Sequence, residues 1–444
     1  MDYDVIIAGG GMAGLTAASA LAKDGLNVLL AERKGEVAGP ARADGSIFYW
    51  KFCIPDEYLE PVNVVLGTGQ RMLGPGTGIP VTARFEFPGI GFSYEYTGPI
   101  IPYYNYLKMS PSGYRVWCIK NELWGLYLSR SDILRCLYEN AMKNGAKFML
   151  GSTVTGVENI SGGAVVTIQS SKGLDSYRAR KVIAADGRFS RVVNSLGLNR
   201  NRVSRKVLVY CYILEGVERQ EREYGTLIAW EYPSISPMTI FLALHSEGGN
   251  NNLEQLTTVG DHAKAVLDTF MKNSRYAPWF SRARIVRKCT TGGTDYSPII
   301  DNPVAGNVLI VGDAIGAESF IQGAIASGYQ AAKAIKRELN GEPGFEEYNR
   351  WLHGAFAFFC TPDHFHQKML RHLFGLARPD DDDVDYVYKL IEEKGLVCHP
   401  AAFAVDNLEM LKESRPQFYR RLSDSFSWMK RVEASGGWQS RQLL

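Results

Sequence analysis

Three glycines near the start of the chain have the spacing of a turn that binds a diphosphate. Gly9, Gly11 and Gly14 follow an apolar run, residues 4–8, and residues 12–23 after them have the pattern of a helix. In such a G-x-G-x-x-G turn the first glycine allows the tight turn and the second lets a diphosphate approach the backbone. The third lets helix and strand pack closely. The sequence therefore predicts a dinucleotide-binding strand, turn and helix.

Further residues of this unit are expected to contact the cofactor. Met12 and Ala13 are at the predicted helix start, where free N–H groups and the positive end of the helix favour an anion. A second predicted strand, residues 26–31, ends at Glu32, which is followed by Arg33. A carboxylate at this spacing binds the ribose hydroxyls of adenosine. We therefore assign Glu32 and Arg33 to the cofactor site.

Two later segments each have the pattern of a strand that ends in an acidic turn. Residues 181–185 run into Asp186-Gly187, and residues 306–311 run into Gly312-Asp313. A helix rich in small residues, 323–339, is predicted after the second. An acid–glycine pair after a strand is also common in ordinary turns, so the combination of the three signatures carries the prediction.

In their order and separation the three signatures resemble those of FAD-binding proteins of the glutathione-reductase type, and of the flavoprotein hydroxylase superfamily in particular. The resemblance implies FAD rather than NAD as cofactor, and a role for Asp313 in binding the ribityl chain. It also implies that N–H groups at the start of the following helix face the pyrimidine edge of the flavin, where a helix dipole stabilises negative charge. Those groups belong to Gln322, Gly323 and Ala324.

A fourth segment resembles the same superfamily. Arg130 opens a predicted helix that ends near residues 144–146, and a strand with Val154 follows. The resemblance places Arg130 near the cofactor diphosphate, and Val154 is counted with the cofactor-binding residues.

The expected fold class is α/β, with three regions. A Rossmann-like FAD-binding domain of the glutathione-reductase type is assembled from residues 1–60, 100–195 and 290–340. An antiparallel β substrate domain comprises 61–99, rich in glycine and proline, and 203–290, which contains alternating strands. Residues 345–444 form a helical, aromatic C-terminal region with an acidic break at 380–383.

Composition narrows the functional classes. With 444 residues and 45% hydrophobic content the chain can bury a large core, and its net charge of +2 gives no reason to expect a nucleic-acid partner. Seven dispersed cysteines without a C-x-x-C pair argue against a zinc site, so we expect no metal. Because no signal peptide or long apolar run is recognised, a cytoplasmic protein without a transmembrane segment is expected, with peripheral membrane contact left open.

Two flavoenzyme families compete for the activity. The geranylgeranyl reductases, which transfer hydride from flavin N5 to a C=C bond, carry an aromatic strand motif that Trp230, Tyr232 and Pro233 resemble. They also carry an arginine and a cysteine–glycine pair after the ribose-binding acid; here Arg42 matches, but Ala43 stands in place of the cysteine. The substrate domain of that family is matched only loosely.

The single-component aromatic hydroxylases share the three FAD signatures and require nothing that this chain lacks. The main expectation is therefore a monooxygenase that acts on an aromatic or apolar substrate through a flavin C4a-hydroperoxide. A geranylgeranyl-reductase-like enzyme is the first alternative and an electron-carrying flavoprotein the second. Flavin-dependent halogenases are disfavoured because their tryptophan-rich motif is missing.

No catalytic residue is specified by spacing. Aromatic-rich segments indicate an apolar pocket, with Asp44, Tyr49, Trp230 and Tyr232 as candidate lining residues. The expected substrate is a small molecule, a lipid or a carrier-bound group, and the expected external reductant is NADPH or NADH. The oligomeric state is left open.

Overall fold

A computed structural model describes residues 1–39, 47–49, 62–68, 80–221, 223–247, 250–297, 299–316, 319–356 and 376–434. Arg42, Ala43 and Asp44 lie outside the described residues. Tyr49 is described only by its backbone.

A central sheet carries the predicted cofactor signatures. Its strand order is β11-β2-β1-β14-β13-β12, and β21 pairs with β14 beside the carboxyl-terminal half of that long strand. The pairs among β11, β2, β1, β14 and β21 are parallel, whereas β12, β13 and β14 form an antiparallel meander. The strands are β1 (Tyr3–Ala8), β2 (Val28–Glu32), β11 (Lys147–Leu150), β12 (Thr153–Ile160), β13 (Gly163–Ser170), β14 (Gly173–Ala184), β20 (Val304–Ala305) and β21 (Val308–Ile310).

Helices α1 (Met12–Lys23), α2 (Arg130–Lys143) and α5 (Phe320–Leu339) pack beside this sheet, and α1 has the predicted bounds. Helices α1 and α5 approach closely at Gly328, where a methyl group would overlap the backbone of Ala13. Only glycine allows this separation of the two helix axes.

A seven-stranded sheet forms the second layer, in the order β19-β15-β18-β17-β16-β8-β9. Helix α4 (Ala263–Asn273) and a 3-10 turn, Ala277–Phe280, cover one face, and residues of the other face join the main core. The strands are β8 (Asn105–Met109), β9 (Arg115–Ile119), β15 (Val203–Glu215), β16 (Thr226–Trp230), β17 (Ile240–Glu247), β18 (Asn250–Val259) and β19 (Arg284–Ser297).

Two further sheets are small and antiparallel. One has the order β3-β10-β7 and contacts α5; the other has the order β4-β5-β6 and contacts α2. Their strands are β3 (Ile47–Tyr49), β4 (Asn63–Leu66), β5 (Val81–Phe87), β6 (Phe92–Gly98), β7 (Ile100–Tyr103) and β10 (Gly125–Leu128).

The remaining helices are short or lie near the C-terminus. Most of the C-terminal ones enclose their own apolar core, to which Val116 of β9 contributes. The helices are α3 (Arg191–Ser195), α6 (Gly344–Ala355), α7 (Asp381–Glu393), α8 (Pro400–Asp406), α9 (Leu408–Ser414) and α10 (Pro416–Ala434).

Two regions differ from the sequence-based assignment. Strands β8 and β9, placed by sequence in the FAD-binding segment 100–195, belong to the seven-stranded sheet: β8 pairs with β16, and β9 pairs with β8. The acidic run at 380–383 is no loop: it starts α7, where Asp380 and Asp383 form a reciprocal capping box. Acidic side chains at a helix start are favoured by the helix dipole.

A helix that crosses a bilayer needs about 20 predominantly apolar residues. Among the described residues none is both long and apolar enough to cross a membrane.

Candidate functional site

The glycine turn after β1 has the geometry expected for a diphosphate. Gly9 has a φ of +101°, and a methyl group on it would overlap Ala185 O, so only glycine fits there. A methyl group on Gly14 would overlap Gly9 O. At Gly11, in contrast, an added methyl group would meet no atom of the described residues within 4 Å, so they leave this side of the turn open to a ligand.

The start of α1 is open in the same direction. Gly11 occupies the position before the helix, and no side chain among the described residues caps it. The N–H groups of the first turn, which begins with Met12 and Ala13, therefore retain the capacity to bind an anion.

Glu32, at the end of β2, is hydrogen-bonded to the glycine turn. Its Oε2 accepts a hydrogen bond from Gly10 N (2.7 Å) and its Oε1 accepts one from Lys34 N (3.0 Å). Each carboxylate oxygen can accept more than one hydrogen bond, so this geometry leaves capacity for ribose hydroxyls. Arg33, directly after it, is exposed.

Asp186 stabilises the turn in which it lies. Its carboxylate accepts hydrogen bonds from Ser190 Oγ (2.6 Å), Arg191 N (2.7 Å) and Val192 N (3.3 Å), at the start of α3. Burial raises the pKa of Asp186, against the opposing effect of these hydrogen bonds. Gly187 has a φ of +78° and completes the turn. Asp186 thus orders the turn by capping a short helix that the sequence analysis did not recognise.

Asp313 follows the third parallel strand and is only partly buried. It lies in a 3-10 turn, Gly312–Ile315, after β21, and its side chain is 37% exposed. Oδ1 accepts a hydrogen bond from Ser319 N (2.8 Å), and Oδ2 lies 3.8 Å from Nε of Arg188. Gly312, with a φ of +57°, lies against α1: a methyl group on it would be 3.3 Å from Ala13 Cβ.

Helix α5 begins at Phe320, shortly after the turn that contains Asp313. Ser319 is fully buried, and its hydroxyl has no hydrogen-bond partner among the described residues. Phe320 has a φ of +54°, an unfavourable value for a residue with a side chain. Gln322 and Gly323 are buried and Ala324 is half-buried.

The three signatures thus meet at one edge. They follow β1, β14 and β21, which are adjacent parallel strands, and so their carboxyl ends coincide. Gly9 abuts Ala185, Gly312 abuts Ala13, and Arg188 approaches Asp313. The open glycine turn and the buried Ser319 hydroxyl are features that a bound dinucleotide would fill, so the residues present fit FAD.

Two other predicted cofactor residues lie on neighbouring elements. Arg130 is the first residue of α2, where Ser129 Oγ accepts a hydrogen bond from Asp132 N (3.3 Å). Val154 is buried on β12 beside a register shift, two residues after Ser152, whose N–H donates to Glu32 O (2.9 Å).

Trp230 does not line the cleft. It is fully buried on the face of the seven-stranded sheet that packs against α4, with ring centroids 4.8 Å from Phe270 and 5.8 Å from Trp279. Its neighbour Ala229 faces the main core instead. Tyr232, two residues beyond the end of β16, also lies against Phe270, with 6.2 Å between the ring centroids. The structure therefore makes both aromatic residues part of the core beneath the sheet.

Three polar residues, Arg188, Ser319 and His245, were not identified as candidates from the sequence. Arg188 directly follows the Asp-Gly pair, and Ser319 precedes the small-residue helix, so closer attention to the residues flanking each motif would have found both. His245 has no sequence signal. It is 2% exposed, its ring lies edge-on to Tyr127 at 5.4 Å, and its Nε2 is 3.5 Å from Glu247 Oε2. His245, and then Arg287 at 2.9 Å, lower the pKa of Glu247.

Comparison with known proteins decides the cofactor class. Residues 4–51 match a family model described as an FAD binding domain. A digeranylgeranylglycerophospholipid reductase of Methanosphaera stadtmanae is 26% identical over 364 residues, which cover 78% of this chain and 79% of that protein. The reductase of the same name from Thermoplasma volcanium is 24% identical and is matched over 95% of this chain and 99% of its own length. The chain is an FAD-dependent oxidoreductase.

Solved structures share the fold of this flavoenzyme. A geranylgeranyl bacteriochlorophyll reductase-like protein from Thermoplasma acidophilum superposes with a TM-score of 0.62 at 20% identity, over 95% of this chain and 99% of the other. The OxyS anhydrotetracycline hydroxylase from Streptomyces rimosus gives a TM-score of 0.52 at 18% identity, over 96% and 76%. The expected α/β class with a Rossmann-type FAD-binding domain is confirmed.

Proposed function

We propose that this flavoenzyme reduces C=C bonds in the polyprenyl chains of a lipid. The observation that carries the proposal is similarity over nearly the whole chain, 95%, to a digeranylgeranylglycerophospholipid reductase. The hydroxylase likeness is one of fold, at 18% identity. The reductase alternative of the sequence analysis is thus better supported than its main expectation of a monooxygenase.

The cofactor would be held by the edge where the three signatures meet. Gly11 gives the diphosphate access to the backbone, in a turn whose tight geometry depends on Gly9 and Gly14, and Glu32 offers oxygens to the ribose. Asp313 is at the same edge, with a side chain that is 37% exposed. FAD bound there would supply the hydride for the reduction.

The protein must also deliver a proton to the second carbon of the reduced bond. The described tyrosines near β17 are already engaged: Tyr103 and Tyr127 donate their hydroxyls to Leu244 O (3.3 Å) and Ser246 O (2.8 Å). Asp44 and Tyr49 stay predicted candidates. A cytoplasmic location and NADH or NADPH as reductant stay predictions as well.

The test is reduction of a defined lipid under anaerobic conditions. The purified holoenzyme, with dithionite as electron source, would be incubated with detergent-dispersed digeranylgeranylglycerophospholipid, and the products analysed by mass spectrometry. We expect a gain of two hydrogens for each reduced bond. The Asp313→Ala variant, with less bound flavin, should form correspondingly less product.

Two results would contradict the proposal. An unchanged lipid, with wild-type enzyme that is fully loaded with flavin, would favour the electron-carrier reading. A product that gains oxygen when NADPH and air replace dithionite, without any saturated product under anaerobic conditions, would favour the monooxygenase.

A further inference from the structure

A cavity of about 210 Å³ lies on the α4 side of the seven-stranded sheet. It opens between the β8–β9 hairpin, the segment before β16 and the 3-10 turn after α4. None of the residues of the three FAD signatures contributes to it. Its walls are formed by Met109, Gly113, Arg115, Gln220, Glu221, Arg275, Tyr276 and Trp279.

The charged groups of the cavity leave one positive charge in excess. Glu221 is buried and forms an ion pair with Arg115, and its Oε1 also accepts a hydrogen bond from Glu223 N (3.0 Å). The charge of Glu221 is therefore compensated by Arg115. Arg275 supplies a second guanidinium, which forms no ion pair with any carboxylate of the described residues.

One donor in the wall is buried and has no acceptor. Arg115 uses its terminal NH2 group for Glu221, whereas its Nε–H is shielded from solvent and has no hydrogen-bond partner among the described residues. An unsatisfied buried donor is unfavourable by about 1–3 kcal/mol in proteins, so a shift of the Arg115 side chain that brings its Nε–H to an anionic oxygen in the cavity would be favourable. Arg275, a second lining residue, packs against Gly113: a methyl group added to that glycine would lie 2.9 Å from Arg275 Nε.

The remaining wall is apolar and rigid. Met109, Tyr276 and Trp279 are buried, and the Tyr276 hydroxyl is engaged with Ser110 O at 2.5 Å. The rings of Tyr276 and Trp279 are held edge to face, 5.4 Å apart. The cavity therefore combines a cationic side with an apolar side of packed rings.

We propose that this cavity binds a small organic oxyanion, at a site separate from the flavin cleft. The acidic group is held by the guanidinium of Arg275 and the Nε–H of Arg115, and the organic part lies against Trp279 and Met109. Guanidinium groups match the geometry of both carboxylate and phosphate. The occupant is accordingly a phosphate monoester or a carboxylate with a short organic group.

Calorimetric titration of the FAD-loaded full chain tests the proposal, with glycerol 1-phosphate, benzoate and inorganic phosphate as separate probes. At least one organic probe should bind saturably and more tightly than inorganic phosphate. Arg275→Gln should weaken that binding about tenfold or more, as expected for loss of a charge-assisted hydrogen bond. Arg282→Gln is the matched control, since Arg282 is 79% exposed and pairs with Glu218 outside the cavity.

Three outcomes would overturn the site. They are the absence of saturable binding for all three probes, equal binding of inorganic phosphate and the organic probes, and equal loss in Arg275→Gln and Arg282→Gln. The flavin absorbance of each variant verifies that it is folded and loaded. Because the titration does not depend on turnover, its failure leaves the reductase proposal untouched, and the reverse also holds.

Discussion

The hydroxyl of Ser319 is buried at the start of α5 and has no hydrogen-bond partner among the described residues. Its removal should therefore raise the stability of the flavin-free protein and lower its affinity for flavin. In the flavin-free protein, Ser319→Ala removes an unsatisfied polar group, so the free energy of unfolding should rise by about 1 kcal/mol. If bound FAD satisfies this hydroxyl, the same change should weaken flavin affinity severalfold. Thermal unfolding of the apoprotein and fluorescence titration with FAD measure the two effects.

Ser195 provides a control for that variant. It is a serine of α3 whose hydroxyl donates to Val192 O at 2.8 Å and accepts from Val157 N at 3.2 Å. Ser195→Ala should lower stability and leave flavin affinity unchanged. A Ser319→Ala protein that binds FAD as tightly as the wild type would remove Ser319 from the cofactor site.

Trp230 gives a second prediction at this scale. Since its ring is packed against Phe270, Tyr276 and Trp279, Trp230→Ala should lower the free energy of unfolding by about 3–5 kcal/mol. The folded fraction should keep its flavin, because the side chain faces away from the main core. Denaturant titration and the flavin-to-protein absorbance ratio test this. A stable Trp230→Ala protein with altered flavin reactivity would restore the residue to the pocket.

Among the elements, the pair α1 and α5 couples the first and third signatures. Gly328→Ala would place a methyl group on the backbone of Ala13, and Ala13 in turn supports Gly312. Forcing the helices apart should destabilise the protein by about 1–3 kcal/mol or more and reduce bound flavin. Thermal unfolding and the flavin content of the purified variant are the measurements.

Gly354 in α6 is the matched position, because a methyl group there would meet no atom of the described part of the chain within 4 Å. Gly354→Ala should be tolerated, with unchanged flavin content. If Gly328→Ala were tolerated equally well, the close approach of α1 and α5 would not be needed for the cofactor site.

Local signals at the elements predicted the central unit well. A strand, a glycine turn and a helix are specified within residues 3–23, and the observed α1 has the predicted bounds. The side of the sheet to which Trp230 points depends instead on which layer covers each face, which no local pattern encodes. The allocation of β8 and β9 to the second sheet depends on long-range pairing with β16. Likewise, Asp186 was recognised as part of a turn, but its bond partners lie on a helix of only five residues.

At the scale of the molecule, polar contacts join the C-terminal helices to the second sheet. Asp385 of α7 accepts hydrogen bonds from Ser110 Oγ (2.5 Å), Ser112 N (2.9 Å) and Ser112 Oγ (2.5 Å). Four residues earlier, Asp381 accepts from Ser234 N (2.9 Å). Tyr388 donates to Glu231 Oε2 (2.9 Å), whose other oxygen pairs with the buried Lys108. One face of α7 is thus hydrogen-bonded to two connections of the sheet, the β8–β9 turn and the segment after β16.

Asp385→Ala should therefore loosen this attachment. Loss of its three hydrogen bonds should lower stability by about 1–3 kcal/mol, and the backbone amides of α7 should exchange hydrogen faster. Hydrogen exchange read by mass spectrometry checks both the region and the size of the effect. Asp382→Ala is the control because Asp382, on the same helix turn, is exposed and makes no such contact with the sheet. Equal exchange in both variants would argue against Asp385 as an attachment point.

The strand order of the central sheet has a consequence for how the protein is made. The edge where the three signatures meet combines residue 9 with residues 185 and 313, which are far apart in the sequence although β1, β14 and β21 lie side by side. A nascent chain released at residue 300 would contain the glycine turn and Glu32 but would lack β21, Asp313 and α5. Chains truncated in this way should bind no flavin and should therefore be colourless. We accordingly expect flavin to bind late in the synthesis of this protein, after β21 and α5 have been translated.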